Sequence, residues 1–403
     1  MKLYHGDCLE ELKKLEDNSV DAVITDPPYG LSNTKPQQVA DVLRAWVTGD
    51  TVSVPAKRGG FMGKDWDSFV PPPAVWEECM RVLKPGGHMA VFAGARTQDL
   101  MGLSIRLAGF EIRDTLGWVY GSGMPKSHNI SKAMDRAAGA EREVIGTKRL
   151  GGNAAQSTAE KGGTYAANTD SVGVAAIDVP ITAPATSEAK QWDGWGTALK
   201  PAIEPIILAR KPLVGTVANN VLTHGVGGLN IDECRVGGAS TPDGRWPANV
   251  LLDEHAAKEM DKQSGNVKGV IGMKKVSGGH NFNIGEHTPQ KFNKTSERIE
   301  DSGGASRFFP VFKYQAKAPK KERPVIERED GSKIQHPTVK PVALMEWLVE
   351  LITPPGGTVL DPFAGSGTTL QAAINKGFIP IGIEQDADYI KLIEQRLGLL
   401  AQQ

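Results

Sequence analysis

The sequence predicts an α/β fold, a parallel sheet with helices on both faces, and three observations carry that expectation. Short apolar runs alternate with helical patterns through roughly the first 120 residues and again through roughly the last 70. The run Val20 to Ile24 reads as a buried parallel strand. It stops at Asp26-Pro27-Pro28-Tyr29, because two consecutive prolines offer no N–H to a ladder. Near the other end, a strand over Thr358 to Leu360 runs into Asp361-Pro362-Phe363-Ala364-Gly365-Ser366-Gly367-Thr368-Thr369 and then a helix, Leu370 to Asn375. Strand, tight glycine turn and helix make a nucleotide-type site. In open sheets, ligands bind beyond the carboxyl ends of the strands, where both motifs fall.

In chain order, Lys2 to Tyr4 is a short strand ending at His5-Gly6-Asp7, and Leu9 to Leu15 is a helix with apolar residues at Leu9, Leu12 and Leu15. Asp7 then sits at the carboxyl end of a neighbouring strand, either as the N-cap of that helix or as a ligand contact. From Gly30 to Asp67 the pattern loosens. Gly59 to Trp66 reads as a flexible loop that either closes over a ligand or is pinned to the surface by Phe61 and Trp66. Val75 to Leu83 is a helix stopped by Lys84-Pro85-Gly86-Gly87, and His88 to Ala93 is the next strand. Thr97 to Leu107 is a helix ended by Gly109, and Glu111 to Tyr120 is a strand with a polar edge.

The alternation then breaks. Met124 to Arg142 has a helical, partly basic pattern, and Leu150 to Thr197, rich in Gly, Ala, Ser and Thr, is expected to be mobile or loosely ordered. Asp178, Glu188 and Lys190 have a spacing loosely like a nuclease metal site, but no Pro-Asp pair precedes them, so the match is a coincidence. Ile203 to Leu208 is an apolar strand. Lys258 to Lys321 carries 13 Lys/Arg against 6 Asp/Glu, interleaved with Phe282, Phe292, Phe308, Phe309, Phe312 and Tyr314. It reads as a DNA-reading surface or as the solvated face of an ordinary loop domain. Strong signals return with His336-Pro337-Thr338-Val339-Lys340-Pro341, a helix over Val342 to Ile352, a strand over Ile379 to Ile383 that ends at Glu384, and a closing helix, Tyr389 to Leu397.

Composition bounds the function. A chain of 403 residues with 40% hydrophobic and 23% charged residues is ordinary for a soluble globular protein. With a formal net charge of -1, any nucleic-acid surface must be a local basic patch. Cys8, Cys79 and Cys234 lie far apart with no CxxC pair, which argues against disulfides or a structural zinc and fits a reducing cytosol. Met1 to Leu15 is charged and amphipathic without a signal-peptide core, and no apolar run is long enough to span a bilayer.

The two motifs suit complementary chemistry. Gly365 and Gly367 let a ligand approach the backbone closely. The third glycine of the dinucleotide fingerprint is missing, and Thr369 and Leu370 stand where a phosphate loop needs Gly-Lys. A ligand with adenosine but no phosphates is therefore favoured. Glu384, 19 residues after Gly365 and at the end of the next strand, is placed to accept ribose hydroxyls, or else faces solvent. At the other motif, the exocyclic amine of adenine or cytosine is a poor nucleophile, because its lone pair is delocalised. Asp26 and the Pro27 carbonyl can accept its two N–H groups, and Tyr29 offers a face for a base taken out of a helix. A plainer reading is a strand-ending turn with a capping Asp.

Together, Asp26-Pro27-Pro28-Tyr29 and Phe363-Ala364-Gly365-Ser366-Gly367 resemble the amino-methyltransferases of DNA, in which the first motif is catalytic and the second binds S-adenosylmethionine. The order resembles the beta arrangement of bacterial and phage enzymes. The resemblance implies a Rossmann-like class I methyltransferase sheet with circularly permuted motif order and an inserted target-recognition region. It implies catalytic roles for Asp26, Pro27, Pro28 and Tyr29. It places the donor against Asp361, Phe363, Ala364, Gly365, Ser366, Gly367 and Thr368, its ribose on Glu384, its adenine by Asp7 and Cys8, and its carboxylate on Lys340. Gln385 departs from the family, which often has an apolar residue there.

The implied organisation is a catalytic half over residues 1–123, a partly mobile insert over 124–200, a core strand within 201–213, a target-recognition insert over 214–330 and a cofactor half over 331–403. Strands preceding Asp26 and Asp361 should be neighbours. The implied reaction is methylation of adenine N6 in double-stranded DNA by direct displacement on a flipped base, without metal. Asp in the first motif position leans to adenine over cytosine-N4 by resemblance alone. The same motifs also admit an RNA substrate, or a non-catalytic DNA-binding or cofactor-sensing protein. Cytosine C5 chemistry is disfavoured because none of the three cysteines follows a proline. The resemblance also implies a cytoplasmic, nucleoid-associated protein of bacterial or phage origin, and allows a homodimer.

Overall fold

The computed structural model describes residues 1–32, 34–55, 67–121, 127–150, 177–237, 244–269, 301–312, 323–328 and 330–399. Its centre is one sheet of strands β1 (Lys2–His5), β2 (Val20–Thr25), β3 (Leu83–Phe92), β4 (Glu111–Val119), β5 (Ile203–Arg210), β6 (Val250–Asp253), β7 (Val311–Phe312), β8 (Thr358–Asp361) and β9 (Ile379–Glu384). Their spatial order is β1-β9-β8-β2-β3-β5-β4-β6-β7. Every pairing in it is parallel except those of β5, which runs against both β3 and β4.

The two ends of the chain meet in this sheet. Val359 and Leu360 of β8 pair with Ala22 and Val23 of β2, so the strands that carry the two motifs are neighbours, as expected. β1 pairs with β9 and brings Asp7 to the strand end that carries Glu384.

Side chains of a strand alternate between faces, and both faces here are apolar. Val23, Met89, Val91, Ile207 and Ala209 point into one core, which helices α1 (Cys8–Leu12), α2 (Pro36–Val47), α3 (Pro73–Val82) and α4 (Gln98–Leu107) cover. Ala22, Ile24, Ala90, Phe92, Ile206 and Leu208 point into the other, covered by α5 (Val342–Ile352) and α6 (Thr368–Asn375). Burial of each large side chain contributes about 1.5–3 kcal/mol, and Trp76, Phe92 and Met89 are fully buried. A last helix, α7 (Ala387–Arg396), follows β9.

Several elements differ from the sequence-based expectation. The stretch after Gly30 holds α2, opened by Pro36 and packed through Val39, Val42, Leu43 and Trp46, one face at helical spacing. Lys84-Pro85-Gly86-Gly87 is not a break between helix and strand but a bulge inside β3, since Leu83 pairs with Val20 and His88 with Ala22. Residues 56–66, which contain the expected closing loop, lie outside the described part.

In the segment read as loosely ordered, Ile177–Thr182 pairs antiparallel with Val144–Leu150. Its order has a physical source. Asp135 pairs with Arg142 at 2.5 Å and accepts hydrogen bonds from Thr186 N and Ala185 N. Residues 151–176 lie outside the described part, as does most of the basic stretch 258–321. Strands β6 and β7, from the region 214–330, extend the far edge of the sheet. Among the described residues, no helix is long and apolar enough to cross a membrane.

Candidate active site

A cleft of about 1410 Å³ opens along the carboxyl ends of β1, β9, β8 and β2, and both sequence motifs line it. The tetrapeptide end is built on a pinned turn. Asp67 accepts hydrogen bonds from Tyr29 N at 2.7 Å and Gly30 N at 3.0 Å, and Thr97 Oγ1 donates to the Tyr29 carbonyl at 2.6 Å. Gly30 has φ +66, and a Cβ there would lie 2.7 Å from Val70 N, so only glycine fits.

Four polar side chains converge on this turn. The Tyr29 hydroxyl lies 2.7 Å from Asp26 Oδ1 and 3.1 Å from Glu204 Oε2. Lys340 Nζ donates to Asp26 Oδ2 at 2.6 Å and lies 3.2 Å from Glu204 Oε2 and 3.1 Å from Tyr29 Oη. The ammonium also stands 4.8 Å from the Phe92 ring centre, within cation–π range. Burial pulls the Lys340 ammonium towards neutrality, but Asp26 and Glu204 outweigh it and hold the group charged, with its pKa above the ordinary value. Burial, then Asp26 and Glu204, push the Tyr29 phenol well above its usual range, so it remains a neutral donor.

The glycine-turn end holds its carboxylates differently. Glu384 Oε2 accepts from Gly365 N at 2.8 Å and Oε1 from Asp386 N at 2.8 Å. Burial nevertheless raises its carboxyl to about 7. Asp361 accepts from Thr25 Oγ1 at 2.7 Å and from Phe363 N at 3.1 Å, and burial raises it to about 6. The Thr25–Asp361 bond ties the two motif strands together directly.

Gly365, at φ +53, faces His336, whose Nε2 would lie 3.1 Å from a Cβ there. Desolvation lowers His336 to about 4, so its ring is neutral, with Nδ1 2.8 Å from the Thr338 carbonyl. Ala364, Ser366 and Thr368 line the cleft, and Ser366 and Thr368 are hydrogen-bonded to each other at 3.2 Å. Phe363 also packs against Trp76.

Nearly all the residues expected at the site meet here. Asp7 and Cys8 line the cleft, and Asp7 caps α1 by accepting from Leu9 N at 3.0 Å, which is the N-cap reading. Burial pushes the Cys8 thiol up to about 12, so it is a neutral wall. Gly367 is not among the residues that line the cleft. At φ +76 it caps α6, and a Cβ would press on Ile393 of α7. Lys340 is bonded to the tetrapeptide cluster, whereas the expectation placed it at the donor's carboxylate.

Sequence reasoning missed Glu204, Asp67, Thr97 and Thr25. A lone acid at the start of the apolar strand Ile203–Arg210 was a usable signal for Glu204. The other three carry none. Among the described residues, no group of three or more His, Cys, Asp or Glu side chains could hold a metal.

Fold and cleft thus define an α/β protein whose strand ends set a glycine turn with buried carboxylates beside a cluster of two carboxylates, a phenol and an ammonium. The chain belongs to the N6/N4 DNA methylase family, whose model matches residues 20–395. It is similar to the type II methyltransferase M.HindIII of Haemophilus influenzae, with 24% identity over 98% of this chain and 95% of that protein. A 64-residue stretch is 50% identical to the DNA adenine methyltransferase YhdJ of Escherichia coli, covering 16% of this chain and 22% of that one. Among solved structures, the cytosine-N4-specific PvuII DNA methyltransferase aligns over 98% of this chain and 85% of its own, at 14% identity and a TM-score of 0.45.

Proposed function

We propose that this DNA methyltransferase transfers a methyl group from S-adenosylmethionine to adenine N6 in duplex DNA, on a base flipped into the cleft. The observation that carries the reading is the continuity of one cleft from Asp26 and Tyr29 to Gly365 and Glu384. The glycine-turn end fits the cofactor. Glu384 is a buried carboxylate held by two backbone N–H groups, with acceptor capacity left for ribose hydroxyls. Gly365, at φ +53 with His336 Nε2 3.1 Å from where a Cβ would lie, presents bare backbone to the cleft beside it. When bound, the cofactor supplies an electrophilic methyl group on a sulfonium.

The chain's own residues do the rest. Asp26 accepts one N–H of the target amine and the Pro27 carbonyl the other. As positive charge builds on that nitrogen, the Asp26 carboxylate is already in place to stabilise it. Pro27 and Pro28 stiffen the turn that carries these acceptors, and Tyr29 lines the space that the base enters. Flipping the base costs about a few kcal/mol, and Arg96 and Lys200, which also line the cleft, are placed to offset part of that on phosphates. The amine proton leaves after transfer, to water or to Asp26. Adenine is preferred over cytosine by the Asp of the tetrapeptide and by the similarity to YhdJ.

The test is incubation with unmethylated genomic DNA and methyl-labelled S-adenosylmethionine, followed by nucleoside mass spectrometry, beside Asp26→Ala. Labelled N6-methyladenine, lost in the variant, is expected. Labelled N4-methylcytosine would overturn the base assignment and keep the mechanism, whereas no label would overturn the activity.

A further inference from the structure

Glu204 reaches the catalytic cluster by an unusual route. In a parallel sheet the functional edge is formed by the carboxyl ends of the strands. β5 runs the other way, so its amino end lies at that edge and its second residue, not its last, enters the site. The neighbours fix this register, with Ala93 N donating to Pro205 O at 2.9 Å and Tyr120 N to Ala202 O at 3.0 Å. Glu204 therefore sits on a rigid strand between β3 and β4, with its carboxylate aimed at Lys340 and Tyr29.

The charge arithmetic of the cluster depends on it. Lys340 and Tyr29 place a donor on each oxygen of Asp26. Were Asp26 their only partner, a single ammonium would neutralise the carboxylate. Glu204 draws on both donors through one oxygen, at 3.2 Å from Lys340 Nζ and 3.1 Å from Tyr29 Oη. Two carboxylates against one ammonium leave the site with one net negative charge, and side-chain exposures of 9% for Lys340, 20% for Asp26 and 24% for Glu204 keep it poorly screened.

We infer that Glu204 is a positioning residue for methyl transfer: it shares the Lys340 ammonium and the Tyr29 hydroxyl with Asp26, so that the cluster keeps a net negative charge and Asp26 remains an acceptor for the target amine. The inference rests on the amine-methylation reading of the same cleft. It separates Lys340 into a group that orders Asp26 and a charge that would silence Asp26 without Glu204. A merely structural ion pair makes a different prediction, since replacing such a pair by apolar groups is often neutral for stability and leaves no mark on a rate.

The experiment is steady-state transfer of labelled methyl from S-adenosylmethionine to unmethylated duplex DNA. It uses wild type, Glu204→Gln, Lys340→Met and the double variant, with donor affinity measured separately. Glu204→Gln should lower kcat by about a hundredfold, the scale of losing one preorganised electrostatic partner, with the KM for the donor nearly unchanged. In the Lys340→Met background the same substitution should cost little, because removing both charges restores one net negative charge. Glu204→Gln at nearly the wild-type kcat would overturn the inference. So would an equal cost in both backgrounds, and if Glu204→Gln alone does not fold, a large loss of kcat in the double variant relative to Lys340→Met would overturn the inference as well. A wild type that transfers nothing to DNA would overturn the amine-methylation reading and this inference with it, whereas failure of the variants alone leaves that reading standing.

Discussion

The two ends of the cleft hold buried carboxylates by opposite means. At the tetrapeptide end, Asp26 and Glu204 share an ammonium and a phenol. At the glycine turn, Asp361 and Glu384 have only N–H and O–H donors, and burial lifts them to about 6 and about 7. On the proposed function, the difference follows from what each end would hold. A site meant for developing positive charge keeps fixed negative charge close and stabilises it with a counterion. A carboxylate meant for neutral hydroxyls needs none. The first end should therefore govern rate and the second affinity, with the second sensitive to pH near neutrality.

The largest expected effect tests that division. Asp26→Ala should remove transfer to below about a thousandth of the wild-type rate, the upper scale for losing one electrostatic partner, while donor affinity stays within about twofold of wild type. Glu384→Ala should do the reverse. It should weaken the donor by about 1.5–3 kcal/mol, the worth of a hydrogen bond to a charged group, or roughly ten- to a hundredfold, with kcat at saturating donor largely kept. Calorimetry beside single-turnover kinetics reads both. Loss of donor affinity in Asp26→Ala would dissolve the contrast.

The same contrast explains what was legible in the sequence. The glycine turn is local: Asp361, Gly365 and Glu384 belong to one strand–turn–helix–strand unit, and the spacing of Gly365 and Glu384 is that of a direct hydrogen bond. The tetrapeptide cluster is assembled from afar. Asp67, Thr97, Glu204 and Lys340 converge on it from four separate segments, and only topology makes them neighbours. The parallel sheet was legible because its strands are apolar on both faces. The reversed direction of β5 was not, because an apolar run carries no sign of its direction. α2 is written in the spacing of Val39, Val42, Leu43 and Trp46, but the proline at its start and the polar residues around it mask it as a loop.

The pH dependence is the next effect in size. Glu384 titrates at about 7 in the free protein, raised from 4.5 by burial. Its neutral form is favoured by folding, so its contribution to stability is fully present below about 4.5 and is lost as pH rises through about 7. A ligand that needs the ionised form has the opposite dependence. Donor affinity should fall as pH drops below about 7, approaching tenfold per unit. Glu384→Gln should flatten that limb while leaving the rest of the profile. A limb that persists unchanged in the variant would assign it to another group, with Asp361 at about 6 the first to examine.

The smallest effect concerns a buried side-chain bond between the two motif strands. Thr25 closes the strand that carries Asp26, and its hydroxyl donates to Asp361 across the β2–β8 pair, with both residues almost fully buried. Thr25→Val keeps the shape and removes the donor. The cost should be about 1–3 kcal/mol in stability at neutral pH, because a buried carboxylate loses a partner. The same loss favours the neutral acid, so the Asp361 carboxyl should titrate above its present value of about 6. Part of the stability cost should therefore vanish at pH 5, where the carboxyl is already protonated. Thermal unfolding of both proteins at pH 5 and pH 8 separates the cases. A penalty equal at the two pH values would show that the bond serves packing alone. A smaller penalty at pH 5 would show that the catalytic strand sets the charge state of the donor end.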